Sequence, residues 1–154
     1  MGGIHALEHA LISMFPLFAL CDRNDIGGIA VPLHPQTQKS AVFIYDGYQG
    51  GVGLAVRGFE MVEELLEKAG ELIGRCPCDS GCPSCIHSPK CGGGNKPLDK
   101  TAASLLVKGL LGEVQLRVES RKQREDIVAV PEEDVRKDRG SDPAVGLFDI
   151  ETQR

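Results

Sequence analysis

The cysteines of this chain are concentrated in one short segment. Five of the six lie within the sixteen residues from 76 to 91, in a stretch rich in proline, glycine and serine. In chain order they are Cys76, Cys78, Cys82, Cys85 and Cys91. Proline and glycine at this density interrupt helices and strands, so the segment is predicted to be an irregular turn. Thiols brought together in such a turn indicate either a disulfide framework or a metal site.

A metal site is favoured over disulfide bonds. Disulfide scaffolds are typical of secreted chains whose cysteines are spread across the fold, whereas these are clustered and we expect no secretory leader before them. Zn²⁺ takes four ligands at tetrahedral positions, with Zn–S distances of ~2.3 Å. The spacing Cys82-x2-Cys85 lets one turn present two sulfurs to a single ion, and Gly81 permits the positive φ that such a turn uses.

Five cysteines are available for four positions. Cys76-x-Cys78 is a tighter pair, which Pro77 keeps extended. The residues alone leave open whether Cys76 or Cys91 is the thiol that does not bind. Because four thiolates leave no open position for water, the ion is predicted to be a structural Zn²⁺ whose binding contributes to folding.

Length and charge limit the remaining possibilities. The 154 residues suffice for one domain with a tail, and the net charge of −5 argues against a nucleic-acid footprint over the whole surface. A local basic rim around the cysteines stays open, as does a merely solvated one, with the candidates Arg75, Lys90, Lys96 and Lys100. The apolar run from Leu11 to Leu20 is too short to span a bilayer, so we expect a cytoplasmic protein without membrane contact.

Hydrophobic patterning predicts an α+β fold that is mainly helical. A helix with one buried stripe is predicted from Ile4 to Phe15, followed by a short antiparallel strand pair, Gly28 to Leu33 and Ser40 to Tyr45. The clearest amphipathic pattern predicts a helix from Phe59 to Ile73, and Asp99 is placed to cap another helix after the cysteines. The Cys-rich segment, a predicted zinc knuckle, therefore joins two helices.

Proline and glycine residues in the strand region predict which strand lies at an edge and where the chain turns. Pro32 indicates that the first strand lies at a sheet edge. The glycine-rich turn from Asp46 to Gly53 lies between a strand and a helix, as phosphate-binding loops do, but it lacks the Gly-Lys-Ser/Thr ending and the ordered Gly-x-Gly-x-x-Gly. Tight packing of the turn against the helix is therefore the favoured interpretation.

The chain changes character after Gly112. We predict a zinc-binding domain over residues 1–113 and a charged, disordered linker or tail over residues 114–154. The tail ends in an apolar run that contains Asp149-x-Glu151.

Two other chemistries compete with a structural zinc site. His5, Glu8 and His9 fit the His-x-x-Glu-His pattern of a zinc metalloprotease, for which Glu63, Glu64 or Glu67 are candidates as a third ligand. Packing on an amphipathic helix explains so short a motif more simply. Cys82-x2-Cys85 also fits a redox pair, but it lacks the βαβ surroundings typical of one.

Three segments together resemble the MrfA-type zinc-binding domain. They are Gly3–Ala10 (GIHALEHA), Tyr45–Leu54 (YDGYQGGVGL) and Cys76–Gly92 (CPCDSGCPSCIHSPKCG). The resemblance covers about residues 2–112, and that domain closes the C-terminal part of DEAD/DEAH-box superfamily 2 DNA repair helicases. It implies that four cysteines hold the metal, with Cys76, Cys78, Cys82 and Cys85 placed first and Cys91 in reserve.

The chain also departs from such a helicase. It contains neither a Walker A loop nor a DEAD/DEAH-type acidic motif. The resemblance therefore implies a structural zinc-binding accessory domain that is not an enzyme on its own but belongs to an ATP-dependent DNA helicase when joined to a motor. Its expected partners are helicase motor domains, in the same chain or a separate one, and DNA, reached indirectly or through the basic rim.

The end of the tail suggests a second, weaker resemblance. Phe148 to Thr152 is similar to the first motif of DnaQ-like 3′–5′ exonucleases, in which the acidic residues bind metal ions. Asp149 and Glu151 lack the other acidic motifs of such a site. They are interpreted as the stub of an exonuclease-like domain or as a chance match.

Overall fold

The computed structural model describes residues 1–114 and 145–148, which contain five α-helices, one short 3₁₀ helix (Arg23–Asp25) and three strands. In chain order the elements are α1 (Gly2–Met14), α2 (Pro16–Ala19), β1 (Ile26–Val31), β2 (Ala41–Asp46), α3 (Leu54–Glu60), α4 (Val62–Arg75), α5 (Lys100–Leu110) and β3 (Val145–Phe148). The predicted α+β class, mainly helical with a small antiparallel sheet, is confirmed. None of the described helices combines the length and apolar character needed to cross a membrane.

The antiparallel sheet has the strand order β1-β2-β3. The predicted pair of strands is present, with Ile26 opposite Asp46 and Val31 opposite Ala41. β1 lies at an edge as predicted, but it begins two residues earlier and ends before Pro32, because proline has no N–H for the ladder. The third strand, β3, pairs with β2 and comes from the segment assigned to the tail. Asp149 and Glu151 lie outside the described residues.

α1 is the central helix of the fold. It contacts α4 and α5 as well as β1 and β2. Nine of its 13 residues are buried, including Ala6, Leu7 and Ala10, so the prediction of a single buried stripe was wrong. A helix that is apolar on nearly all sides is covered on nearly all sides.

The predicted helix from Phe59 to Ile73 is divided in two. Met61 leaves the helical region with φ −119° and ψ 27°, which separates α3 from α4. α4 then continues to Arg75, and Cys76 is extended with φ −70° and ψ 124°. After the cysteines, the Asp99 side chain accepts a hydrogen bond of 2.8 Å from the N–H of Ala102, which confirms the predicted cap of α5.

Asp46 organises the glycine-rich turn before α3. Its carboxylate accepts hydrogen bonds from the backbone N–H groups of Val52, Gly53, Leu54 and Ala55. These are the groups with which a helix N-terminus would bind a phosphate. A carboxylate of the chain itself therefore occupies the anion position, in agreement with the packing interpretation.

Gly3 permits the close approach of α1 and α5. A Cβ atom at Gly3 would lie 2.8 Å from the Cβ of Ala102 and 3.2 Å from its carbonyl carbon, both closer than normal contact. The helix pair therefore has no room for even one methyl group at this position.

Alanine at two helical glycines is expected to shift stability in opposite directions. Gly3→Ala is expected to lower the free energy of unfolding by about 1–2 kcal/mol through overpacking. Gly74→Ala, where a Cβ would meet nothing within 4 Å, is expected to raise it by about 0.5 kcal/mol through helix propensity. Urea denaturation followed by circular dichroism measures both. Equal effects of the two substitutions would contradict the close α1–α5 contact.

Candidate metal centre

Four cysteine thiols meet where α4 ends. Cys76 and Cys78 follow the last turn of α4, and Cys82 and Cys85 lie in the next tight turn. That turn is closed by backbone hydrogen bonds to the carbonyl of Cys82, from the N–H of Cys85 at 3.0 Å and of Ile86 at 3.2 Å. Gly81 has φ +115°, as predicted, and enters the turn in a conformation that side chains disfavour.

The four sulfur atoms have the spacing of a tetrahedral zinc site. The Sγ–Sγ distances are 3.6 Å for Cys76–Cys78, 3.5 Å for Cys76–Cys82, 3.5 Å for Cys78–Cys85 and 3.8 Å for Cys82–Cys85. A regular tetrahedron with Zn–S bonds of ~2.3 Å has edges of ~3.8 Å. These separations are far from the ~2.05 Å of a disulfide bond, and all six cysteines are free. The cluster therefore fits a zinc ion.

Hydrogen bonds within the cluster favour the thiolate form of Cys78. The backbone N–H of Cys82 donates to the sulfur of Cys85 at 3.3 Å. Burial alone would raise the pKa of Cys78, but hydrogen bonds with the thiols of Cys85, Cys76 and Cys82 and with the backbone at Gly81 lower it to about 7. Burial raises the pKa of Cys85, which is 2% exposed. A bound divalent cation would stabilise both thiolates.

Lys100, the first residue of α5, connects that helix to the cysteine cluster. Its Nζ donates hydrogen bonds to the carbonyl oxygens of Cys76 and Cys78 and lies 3.4 Å from the sulfur of Cys78. Burial opposes the charged ammonium, but the hydrogen bond and the charge of Cys78 raise the pKa of Lys100. The ammonium therefore offsets part of the negative charge that four thiolates concentrate here.

Cys91 does not lie with the other four cysteines. Its ligand atom groups instead with those of His5 and His9 from α1, all within 4.8 Å of one another. The Nε2 atom of His5 lies 3.4 Å from the sulfur of Cys91. Sequence reasoning considered the histidines and Cys91 separately and missed this grouping, because the two segments are 86 positions apart.

The metalloprotease alternative finds no support in this geometry. Glu8 does not belong to the group formed by His5, His9 and Cys91. Its carboxylate lies against β1 instead, since a Cβ added at Gly28 would be 3.0 Å from it. Burial raises the pKa of Glu8 to about 7. Within the described residues, none of the nominated third ligands joins the histidines in a potential metal-binding group; these were Glu63, Glu64 and Glu67.

Two of the four candidate rim cations have their charged ends engaged by backbone carbonyl oxygens. Lys90 donates hydrogen bonds of 3.1 Å to the carbonyl oxygens of Arg23 and Ile26, and Lys100 is engaged at the cluster. Arg75 and Lys96 are exposed. These two are the members of the nominated set that could reach a phosphate without breaking such contacts.

The chain is similar in sequence to a known protein family and to several known proteins. The family described as MrfA Zn-binding domain matches residues 7–86, a range that contains the four-cysteine cluster and ends before Cys91. Protein MJ1572.1 of Methanocaldococcus jannaschii is 41% identical over 111 residues, covering 70% of this chain and 99% of that protein. The ATP-dependent helicase YprA of Bacillus subtilis is 39% identical over 80 residues, covering 52% of this chain and 11% of the helicase.

A solved structure shows the same fold. The crystal structure of the DUF1998 helicase MrfA bound to DNA matches 68% of this chain and 14% of that protein, with 32% identity and a TM-score of 0.57. The chain thus spans nearly all of one small relative and about a seventh or less of the two helicases. It has a four-cysteine cluster that could bind zinc and belongs to the MrfA Zn-binding domain family.

Proposed function

We propose that residues 1–113 form a zinc-braced accessory module of an ATP-dependent DNA helicase, with Zn²⁺ held by Cys76, Cys78, Cys82 and Cys85. The module supplies no ATPase motor and works with motor domains joined to it or carried by another chain. The observation that carries this proposal is the tetrahedral spacing of four thiols at the junction of α4 and α5. Thiols kept reduced for a metal fit the cytoplasm, the compartment that we propose.

The zinc ion would hold the end of α4 against the turn formed by Cys82 and Cys85, and Lys100 would connect this cluster to α5. The knuckle between α4 and α5 contributes few residues to the core, and Cys85 and Ile86 are the two that are most deeply buried. Zinc binding can supply stability that apolar burial does not supply here. The ion binds the folded chain but finds no preformed site in the unfolded chain, so its binding free energy favours folding.

Two kinds of similar protein support a role in a helicase: large helicases that contain a homologous region, and a small protein that consists almost entirely of it. Homologous regions occupy a small part of helicases such as YprA and MrfA, and the latter is solved bound to DNA. MJ1572.1 consists almost entirely of the matching region. We propose that DNA is reached mainly through the motor, with Arg75 and Lys96 as the exposed cations near the cysteine cluster that could contact phosphate.

A chimeric helicase tests the accessory role. The homologous region of YprA is deleted or replaced by residues 1–113 of this chain, and DNA-dependent ATPase and unwinding are measured. We expect the deletion to lose unwinding and the chimera to regain it, whereas a chimera with Cys78→Ser and Cys82→Ser should not. The isolated chain should not hydrolyse ATP. DNA-stimulated ATPase in the isolated chain, or full activity of the serine chimera, would contradict the proposal.

Replacing Lys100 is expected to weaken zinc binding without removing a ligand. Lys100→Met should lower the affinity of the four-cysteine cluster about 10–100-fold, because the variant loses the ammonium that donates to Cys78 and to two carbonyl oxygens. Lys108→Met, on the exposed side of the same helix, is the matched control. Competition with a chromophoric chelator measures both affinities. An unchanged affinity in Lys100→Met would show that the ammonium does not stabilise the thiolates.

A further inference from the structure

We infer that His5, His9 and Cys91 form a second metal site, with Zn²⁺ bound by three side chains and a water molecule in the fourth position. This triad joins α1 to the loop from Ser88 to Asn95. It is separate from the four-cysteine cluster and shares no ligand with it. Imidazole and thiolate ligands favour a borderline divalent ion such as Zn²⁺ over Mg²⁺ or Ca²⁺.

The three ligand atoms lie close together, and one pair of them has the spacing that a shared ion requires. His5 Nε2 and Cys91 Sγ are 3.4 Å apart, and the three atoms all lie within 4.8 Å of one another. Bonds of ~2.0 Å to nitrogen and ~2.3 Å to sulfur at tetrahedral angles place such a pair ~3.5 Å apart. The two imidazole rings are edge-to-face with centroids 4.5 Å apart, as two ligands one helical turn apart can be.

Both histidines are held in the tautomer that binds metal through Nε2. Nδ1 of His5 lies 2.9 Å from the carbonyl oxygen of Pro97, and Nδ1 of His9 lies 2.7 Å from that of Ile86. A carbonyl oxygen only accepts, so each Nδ1 carries the hydrogen and each neutral ring keeps the lone pair on Nε2. A hydrogen bond from the second ring nitrogen to a carbonyl is the usual support of a metal-binding histidine.

The cysteine ligand is also fixed in place before any metal arrives. The backbone N–H of Asn95 donates to the sulfur of Cys91 at 3.2 Å, which stabilises a thiolate. Asn95 is itself held by Ser88, through a bond of 2.7 Å from the N–H of Ser88 and one of 3.0 Å to its carbonyl oxygen. A loop ordered in this way loses little entropy when it binds an ion.

Exposure of the triad leaves room for the fourth ligand. His9 is buried, whereas His5 and Cys91 are only partly buried. One side of the triad therefore faces solvent, and three protein ligands with water in the open position is an established form of zinc coordination. This differs from the closed four-thiolate cluster, in which no position is left for water.

Metal stoichiometry of the full chain tests the inference. The protein is saturated with Zn²⁺, freed of loose ions by gel filtration and analysed by mass spectrometry for metal per chain. We expect two zinc ions in the wild type and one in each of His5→Asn and Cys91→Ser, both at partly buried positions. Cys21→Ser, which belongs to neither group, is the control and should keep two.

Cobalt gives a second readout, whose first arm uses only the wild type. Titration of metal-free wild type with Co²⁺ should show two phases, one with the spectrum of a four-thiolate site and one with fewer sulfur ligands. Cys91→Ser should lose only the second phase. A wild type that saturates at one ion would overturn the second site and show that the triad is only hydrogen-bonded. The same result would leave the four-cysteine proposal intact if Cys78→Ser removes that one ion.

Discussion

Removal of zinc by a strong chelator, or the double substitution Cys78→Ser and Cys82→Ser, is expected to destabilise this protein more than any other change considered. Zinc in small structural sites binds with about 10–16 kcal/mol, which is comparable to or larger than the ~5–15 kcal/mol net stability of a whole domain. We expect a loss of at least about 5 kcal/mol, because α1, the sheet and α4 retain part of the core without the metal. For a domain of this size that corresponds to a fall in melting temperature of roughly 20 °C or more.

Thermal melting followed by far-ultraviolet circular dichroism measures this loss. Cys21→Ser, outside both metal-binding groups, provides the matched control and should melt like the wild type. Adding Zn²⁺ back should restore the chelated wild type but not the double variant. A chelated protein whose melting temperature is unchanged would show that the four thiols do not brace the fold.

Loss of the Asp46 carboxylate is expected to have the second-largest effect. Four backbone N–H groups donate to it, and Asp46 is 2% exposed, so Asp46→Ala would leave buried donors without an acceptor. Hydrogen bonds to a charged group contribute about 1.5–3 kcal/mol each and are not additive, so we expect a net loss of about 3–5 kcal/mol. Asp46→Asn should lose less, because the amide keeps one acceptor. Asp79→Asn, at an exposed position, should be neutral.

The Asp46 contribution should also depend on pH. Burial alone would raise the pKa of Asp46, but hydrogen bonds from Ala55, Val52, Gly53 and Leu54 lower it below its ordinary value. A lowered pKa in the folded state stabilises the fold above the unfolded value of about 3.9, and this stabilisation is lost as pH falls through the folded pKa. Urea denaturation of wild type and Asp46→Ala should therefore differ most near neutral pH and converge in acid. A constant difference down to pH 3 would contradict the role of the charge.

Features encoded by neighbouring residues were predictable from the sequence. The clustering of cysteines and the positive φ at Gly81 depend on residues a few positions apart. So does the cap at Asp99, where a short polar side chain precedes an apolar repeat. The edge position of β1 followed in the same way from Pro32. Local chemistry fixes these features, and tertiary contacts did not overturn them.

Features that depend on distant packing were not predictable from the sequence. Hydrophobic periodicity placed α1 but could not show that helices and a sheet cover it from several sides. Cys91 was kept in reserve for the cysteine cluster, because nothing in a linear sequence indicates that its loop folds back on His5. Lys100 was predicted as a member of a surface rim, but its ammonium donates hydrogen bonds to the carbonyl oxygens of Cys76 and Cys78 within the cluster. The break at Met61 also carries no proline or glycine signal.

The contact between the start of α1 and the start of α5 has a consequence for joining this domain to other polypeptides. The carbonyl oxygen of Gly2 accepts a hydrogen bond of 3.1 Å from the N–H of Asp99, so the first turn of α1 is pinned next to residues 97–99. Any segment fused ahead of Met1 must therefore emerge beside the loop that leads into α5. A rigid fusion partner at that end would compete with the contact between Gly2 and Asp99, whereas a flexible spacer would leave it undisturbed.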